Sequence, residues 1–231
     1  VACAFGLSLW SMRLDAGTSR IGPMKVLRVG GSEWVTYFLA NRFNVLDAQG
    51  GRMAQQSLAE LQLTEEPTDV DFTVDPQGHA QAWLFEDTAP RIVRCDWEPQ
   101  RRRLEGCAPV LAGAQLKTNA ASIAVHLAVD AARARLFVAD ANGGARALSL
   151  DGRVLADSPP GLLFFPNRLR IAGDTLMVAD NDHRRLVWLD ISGERPTFAR
   201  QRELSSADHA HGRSGHGKVT DFVYRPPQDG R

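Results

Sequence analysis

The feature that most constrains this chain is a short pattern that returns along it: an apolar run, an acidic residue, a polar knot, an arginine, a second apolar run, then Asp and Gly. It is plainest in "LMVADNDHRRLVWLDISG" at 176–193. The apolar runs "LMVA" and "LVWL" are too short for helices and read as strands. Asn181, Asp182 and His183 between them are turn chemistry, because Asn and Asp side chains bond local backbone and tolerate left-handed conformations. The stretch is therefore a hairpin in which Asp180 leaves one strand where Arg185 enters the next. Such a pair, if exposed, contributes about 0–1 kcal/mol, and serves register more than stability.

The pattern recurs three times upstream. "LFVADANGGARALSLDG" places Asp140 and Arg146 in the same roles, "AWLFEDTAPRIVRCDWEP" places Asp87 and Arg91, and "VTYFLANRFNVLDAQG" places Asn41 and Arg42. Asp87, Asp140 and Asp180 lie 53 and 40 residues apart, and Asn41 precedes Asp87 by 46. That is the period of a propeller blade. A strand precedes three of the hairpins, in "DVDFTVDPQG", "SIAVHLAVD" and "NRLRIAGD". A fourth strand follows each, in "GRMAQQSLAELQL", "RRLEGCAPVL", "GRVLADSPPGLLF" and "PTFARQREL". Four short strands make a blade, and a lone blade cannot bury both faces, so successive units must stack. The expected fold is all-β: a propeller of four-stranded blades over residues 24–231. Four blades are visible, and "VTDFVYRPPQDG" around Asp221 reads as the first strand of a fifth, as in an incomplete six-bladed ring.

These units resemble NHL repeats and their relatives in the six-bladed propeller superfamily that includes gluconolactonase, regucalcin and the strictosidine-synthase-like proteins. The shared pattern is apolar strand, "VAD", polar turn, Arg, apolar strand, Asp and Gly. Blade two departs from it with "FED", and blade one has Asn41 in place of the acid. The resemblance implies two alternative uses. NHL-like propellers mostly serve as non-catalytic modules that bind a protein or stabilise an assembly, whereas the lactonases hold a central divalent metal.

For the metal reading, "FFPNRLRIAGD" resembles the lactonase "PNG" segment, which makes Asn167 a ligand. Asp221 falls where that family has a second ligand, and Asp69 and Glu33 stand at comparable blade starts. One amide and several carboxylates suit calcium, and a metal-bound water would then attack a lactone or ester. Arg168 and Phe222 replace the family's glycines, however, and crowd the site. A separate candidate is the loop "SADHAHGRSGHGK", where His209, His211 and His216 beside Asp208 could hold a transition metal, or form a polar loop ahead of a new blade. Phosphate loops, dinucleotide fingerprints, nucleophile elbows and "HExxH" are all absent, which favours a protein-binding module without a cofactor over an enzyme using calcium.

Composition separates these readings little. Lys plus Arg equals Asp plus Glu at 27 each, so no net charge draws the chain onto nucleic acid. The run at 101–103 lacks interleaved aromatic residues and reads as a solvated turn. Cys95 and Cys107 flank that turn, and folding it about Arg101 sets them opposite one another, within reach of a disulfide; the alternative is two half-buried free thiols in a cytosolic protein. Such a bond belongs to an oxidising compartment. The opening "VACAFGLSLWSM", with Trp10 beside Arg13, reads as the end of a membrane or signal segment followed by a linker, over residues 1–23. A buried edge strand and lipidation of Cys3 are the alternatives. Together these features predict a periplasmic or otherwise extracytoplasmic protein, anchored at the membrane through its N-terminal segment, with another protein or a membrane-protein complex as partner.

Overall fold

The structure is a computed structural model that describes residues 21–117, 124–140 and 144–205. Sixteen strands form four antiparallel sheets, each a meander of four consecutive strands. Blade 1 comprises β1 (Ile21–Val29), β2 (Ser32–Leu39), β3 (Arg42–Leu46) and β4 (Arg52–Ser57). Blade 2 comprises β5 (Asp69–Val74), β6 (Ala80–Glu86), β7 (Arg91–Glu98) and β8 (Arg103–Ala112). Blade 3 is β9 (Ala124–Asp130), β10 (Arg135–Asp140), β11 (Gly144–Ser149) and β12 (Val154–Asp157). Blade 4 is β13 (Pro166–Ala172), β14 (Thr175–Asp180), β15 (Arg185–Asp190) and β16 (Arg200–Ser205). The inner strands β1, β5, β9 and β13 touch in that order around a propeller ring.

The core explains why the second strands are continuous apolar runs. A strand points alternate side chains to opposite faces, and in a middle blade both faces are covered. In β10, Leu136 and Val138 pack into the layer shared with blade 2, while Phe137 and Ala139 pack into the layer shared with blade 4. In β6, Ala82 and Leu84 face blade 1 while Trp83 and Phe85 face blade 3. Every residue of β10 is accordingly buried. Burying such side chains contributes about 1.5–3 kcal/mol each, so stacking of neighbouring blades holds the architecture.

Blade 1 differs from expectation at two points. Its innermost strand is β1, which begins at Ile21, so Glu33 lies on the second strand and is not a blade start. Gly30 and Gly31 make the turn between β1 and β2, both at positive φ (57° and 77°), as a two-residue hairpin of right-handed strands requires. Ala40 and Asn41 (51° and 60°) make the next turn in the same way. Asn41 is therefore a turn residue, and Leu39, not an acid, stands opposite Arg42.

Cys95 and Cys107 are joined in a disulfide with their Cα atoms 4.1 Å apart. The register of β7 against β8 slips between Arg94 and Asp96, and Gly106 takes φ 59°, as in a bulge that opens with a left-handed glycine. Among the described residues no helix is long and apolar enough to cross a membrane. The N-terminal segment to Arg20, including Cys3, Trp10 and Arg13, lies outside them, as do Asp208, His209, His211, His216 and Asp221.

Candidate functional site

The recurrent acid–turn–arginine pattern does more than set register. In blade 4, Asp180 stands opposite Arg185 and is fully buried. Its Oδ2 accepts from Arg185 Nε at 2.7 Å and lies 2.7 Å from His183 Nδ1, while its Oδ1 accepts the Phe164 backbone N–H at 2.6 Å. Arg185 Nη2 then donates to the Leu162 carbonyl at 2.6 Å. The pair thus staples the loop arriving from blade 3 onto its own blade. Because it is buried, the small value of an exposed pair does not apply to it.

Blade 2 builds the same staple from a different acid. The residue opposite Arg91 is Glu86, not Asp87, because β6 ends one residue earlier than the sequence pattern suggests. Glu86 is fully buried and pairs with Arg91. Its Oε1 accepts from the backbone N–H of Thr64 at 2.6 Å and of Glu65 at 2.9 Å, and Arg91 Nη2 donates to the Gln62 carbonyl at 2.8 Å. Arginine to one carbonyl and acid to the N–H two residues on is the arrangement of blade 4 over again. Burial opposes ionisation of Glu86, but the Arg91 and backbone hydrogen bonds outweigh it and hold its carboxyl below the usual range. Asp87 lies in the turn, 3.7 Å from Lys117, and burial pushes its carboxyl up.

Blade 3 corrects the expected Asp140–Arg146 pair. Arg146 stands opposite Val138 and Asp140 opposite Gly144, so the guanidinium is two residues too deep for the strand-end acid. It forks onto Asp157 instead, at 2.6 and 2.9 Å, and also donates to the carbonyls of Gln115 and Lys117 in the loop arriving from blade 2. Asp140 acts on it at longer range.

The second feature lies on the inner strands, where one carboxylate joins all four blades. Asp69, the first residue of β5, is fully buried. Around it converge Lys25 Nζ of β1 at 3.8 Å, His126 Nδ1 of β9 at 3.2 Å and Arg168 Nη1 of β13 at 3.3 Å, and its Oδ2 accepts the Leu127 N–H at 3.0 Å. Burial works against ionisation of Asp69, yet Lys25, the His126 hydrogen bond and Arg168 together hold its carboxyl at about 2. Asp71 beside it accepts the Val129 N–H at 2.8 Å. Burial pushes its carboxyl up, against the pull of Lys25.

This cluster bears directly on the calcium reading. Asp69, one of the expected ligands, is taken by two permanent cations and a histidine, a donor set that repels a divalent ion. Glu33 is elsewhere: it pairs with Arg28 at 2.6 Å, about 10 Å along the strand from Lys25 at ~3.3 Å per residue. The backbone of Asn167 sits at a slip in register between Pro166 and Arg168. Among the described residues no group of three His, Cys, Asp or Glu could hold a metal. The residues present at Asp69 therefore do not fit the lactonase metal. Sequence reasoning missed Lys25 and His126 because each stands singly in an apolar strand, with no local motif to mark it, and it took Arg168 for an obstruction when it is a member of the network.

Comparison with known proteins shows the fold and no more. No family model matches the chain, and no curated relative matches it. Solved structures do. A protein of unknown function from Bacteroides caccae aligns over 83% of this chain and 62% of its own, at 11% identity and a TM-score of 0.53. A candidate 6-phosphogluconolactonase from Bacteroides fragilis aligns over 81% and 55%, at 10% identity and 0.52. A chain of a nidogen/laminin complex aligns over 76% and 60%, at 16% identity and 0.50. This chain is a β-propeller that spans about 55–62% of the length of those structures.

Proposed function

We propose that this chain is a non-catalytic propeller module, NHL-like in its blade pattern, that binds another protein at the cell envelope. The observation that carries the reading is the loop that the blade 4 staple holds. Phe164 and Phe165 are 56% and 38% exposed, whereas Phe38, Phe43, Phe85, Phe137 and Phe198 are buried and Phe72 is partly buried. Phe165 is held at φ 59°, a left-handed conformation that costs an ordinary residue about 1–2 kcal/mol. The backbone is pinned through Phe164 N–H to Asp180 and through the N–H groups of Asn181 and Asp182 to the carbonyls of Phe165 and Phe164. The Phe164 ring also rests against His183 with centroids 5.8 Å apart. Two rigid aromatic side chains presented to solvent at the expense of strain are what an interface anchor requires.

Other observations support parts of the reading. The Cys95–Cys107 disulfide suits an exported protein in an oxidising compartment, and an attachment through the segment ahead of β1 would keep it at the membrane. A propeller of similar shape occurs in the nidogen/laminin complex. A candidate lactonase shares the fold as well, but the calcium-dependent reading needs the Asp69 carboxylate, which Lys25, His126 and Arg168 already engage.

Native mass spectrometry of the protein extracted gently from its own membranes tests this, using the wild type beside Phe164→Ser and Phe165→Gly. The expected result is a defined heavier assembly that both substitutions weaken, with Phe165→Gly raising the stability of the isolated fold by about 1 kcal/mol through relief of the left-handed strain. A lone wild-type monomer, or an assembly indifferent to both changes, refutes the reading.

A further inference from the structure

At the end of blades 3 and 4 remote from the Phe164–Phe165 loop lies a cleft of about 780 Å³, the size of an ordinary ligand site. Because consecutive strands run antiparallel, the β9–β10 turn, the β11–β12 turn and the β15–β16 connection all emerge at that end, and the cleft is formed among them. Among the described residues Arg133, Arg153 and Arg195 line it, together with Glu194, Ala134 and Leu155. The loop that forms its blade 4 wall is held from blade 3. Arg135 is fully buried, donates from Nε to Asp130 at 3.0 Å, and donates from its two Nη atoms to the carbonyls of Ile191 and Gly193. Asp130 also pairs with Arg133, whose other Nη pairs with Asp174 of blade 4. Between the buried arginine and the exposed one stands Ala134 at φ 48°, a left-handed conformation that persists only where the surroundings impose it.

The charges of the lining select the guest. Arg133 is engaged by Asp130 and Asp174, but among the described residues the Arg153 and Arg195 guanidiniums make no hydrogen bond or ion pair. Asp151, two residues before Arg153, acts on it only at longer range. The two uncommitted cations come from different blades, Arg153 from the turn ahead of β12 and Arg195 from the loop ahead of β16, so each can take a carboxylate of its own through paired N–H donors. Ala134 and Leu155 offer aliphatic surface in the same cleft. We propose that this cleft binds an acidic segment of a partner protein, with carboxylates on Arg153 and Arg195 and the segment's apolar parts against Ala134 and Leu155. The proposal rests on the protein-binding reading for its class of guest, but it uses the opposite end of the blades from Phe164 and Phe165.

Fluorescence anisotropy with a fluorescein-labelled peptide of alternating Glu and Ala, beside its Lys and Ala counterpart, tests it. The wild type should bind the Glu peptide and leave the Lys peptide free. Arg153→Gln and Arg195→Gln, at exposed positions where the fold does not depend on them, should each weaken binding by about tenfold. Arg52→Gln removes the same charge from the corresponding exposed position of blade 1, where Arg52 follows Gly51 as Arg153 follows Gly152, and should change nothing. Phe164→Ser should also leave peptide binding unchanged, which separates this site from the aromatic loop. The proposal is overturned if the Glu peptide binds no better than the Lys peptide, or if Arg153→Gln and Arg195→Gln weaken it no more than Arg52→Gln does, the mark of diffuse charge attraction. Complete displacement of the peptide by equimolar succinate or inorganic phosphate would overturn it in favour of a small-anion site. Loss of binding in Phe164→Ser alone would place the peptide on the aromatic loop, refuting this proposal while the protein-binding reading stands.

Discussion

Replacing Asp69 should damage this protein more than its single position on a short strand suggests. Asp69→Ala would remove the carboxylate that Lys25, His126 and Arg168 share and that the Leu127 N–H bonds, taking one shared partner from the inner strands of the other three blades. Breaking a buried ion pair from one side costs about 3–5 kcal/mol, against about 5–15 kcal/mol for a whole domain. The milder Asp69→Asn keeps an acceptor and loses only the charge. The depression of the carboxyl from 3.8 to about 2 places the loss on the order of 2–3 kcal/mol. Because the folded-state value lies below the unfolded one, that stabilisation is present above about pH 4 and is lost as pH falls towards 2. Urea unfolding at neutral pH would read the differences from the midpoints at constant slope. Adding Lys25→Met to Asp69→Asn should cost less than the sum of the single changes, because the two groups couple. A loss below about 1 kcal/mol for Asp69→Ala would refute the idea that one carboxylate ties the blades together.

Two further predictions follow from the staples and the disulfide. Asp180→Ala should cost about 3 kcal/mol or more and, by releasing the Phe164 N–H and Arg185, should make the loop at 159–165 sensitive to limited proteolysis, while Asp87→Ala in blade 2 should leave stability within about 0.5 kcal/mol of the wild type. Comparable losses at Asp180 and Asp87 would contradict the assignment of Glu86 as the blade 2 acid. The Cys95–Cys107 bond closes a short loop, with a sequence separation of 12, and its removal by Cys95→Ala with Cys107→Ala should cost about 2–4 kcal/mol. Thermal unfolding of that double variant with and without reductant checks this: a reductant-dependent shift in the wild type that disappears in the variant is the expected outcome, and equal stability of the two proteins refutes it.

Much of the architecture was legible because it is periodic. Spacings of 40–53 residues between the hairpin acids and continuous apolar runs such as "LFVA" mark strands covered on both faces, and such strands can be covered only by stacking blades. The Asp180–Arg185 pair was legible for the same reason, since strand ends and turn residues are local. Local signals failed where register decided. Whether Glu86 or Asp87 meets Arg91 depends on where β6 ends. Whether Arg146 reaches Asp140 or Asp157 depends on how deep it stands in β11.

By itself, then, the sequence determined the blade, its period and the place of its turns, because those follow from alternation and turn chemistry within about 50 residues of chain. Only the tertiary structure decided what meets at the centre. Lys25, Asp69, His126 and Arg168 come from four blades, and Arg168 is 99 residues from the carboxylate it shares. No local pattern can encode such a meeting. It exists because stacking brings the inner strands side by side, and because a carboxylate buried among them is stable only when cations from its neighbours arrive with it.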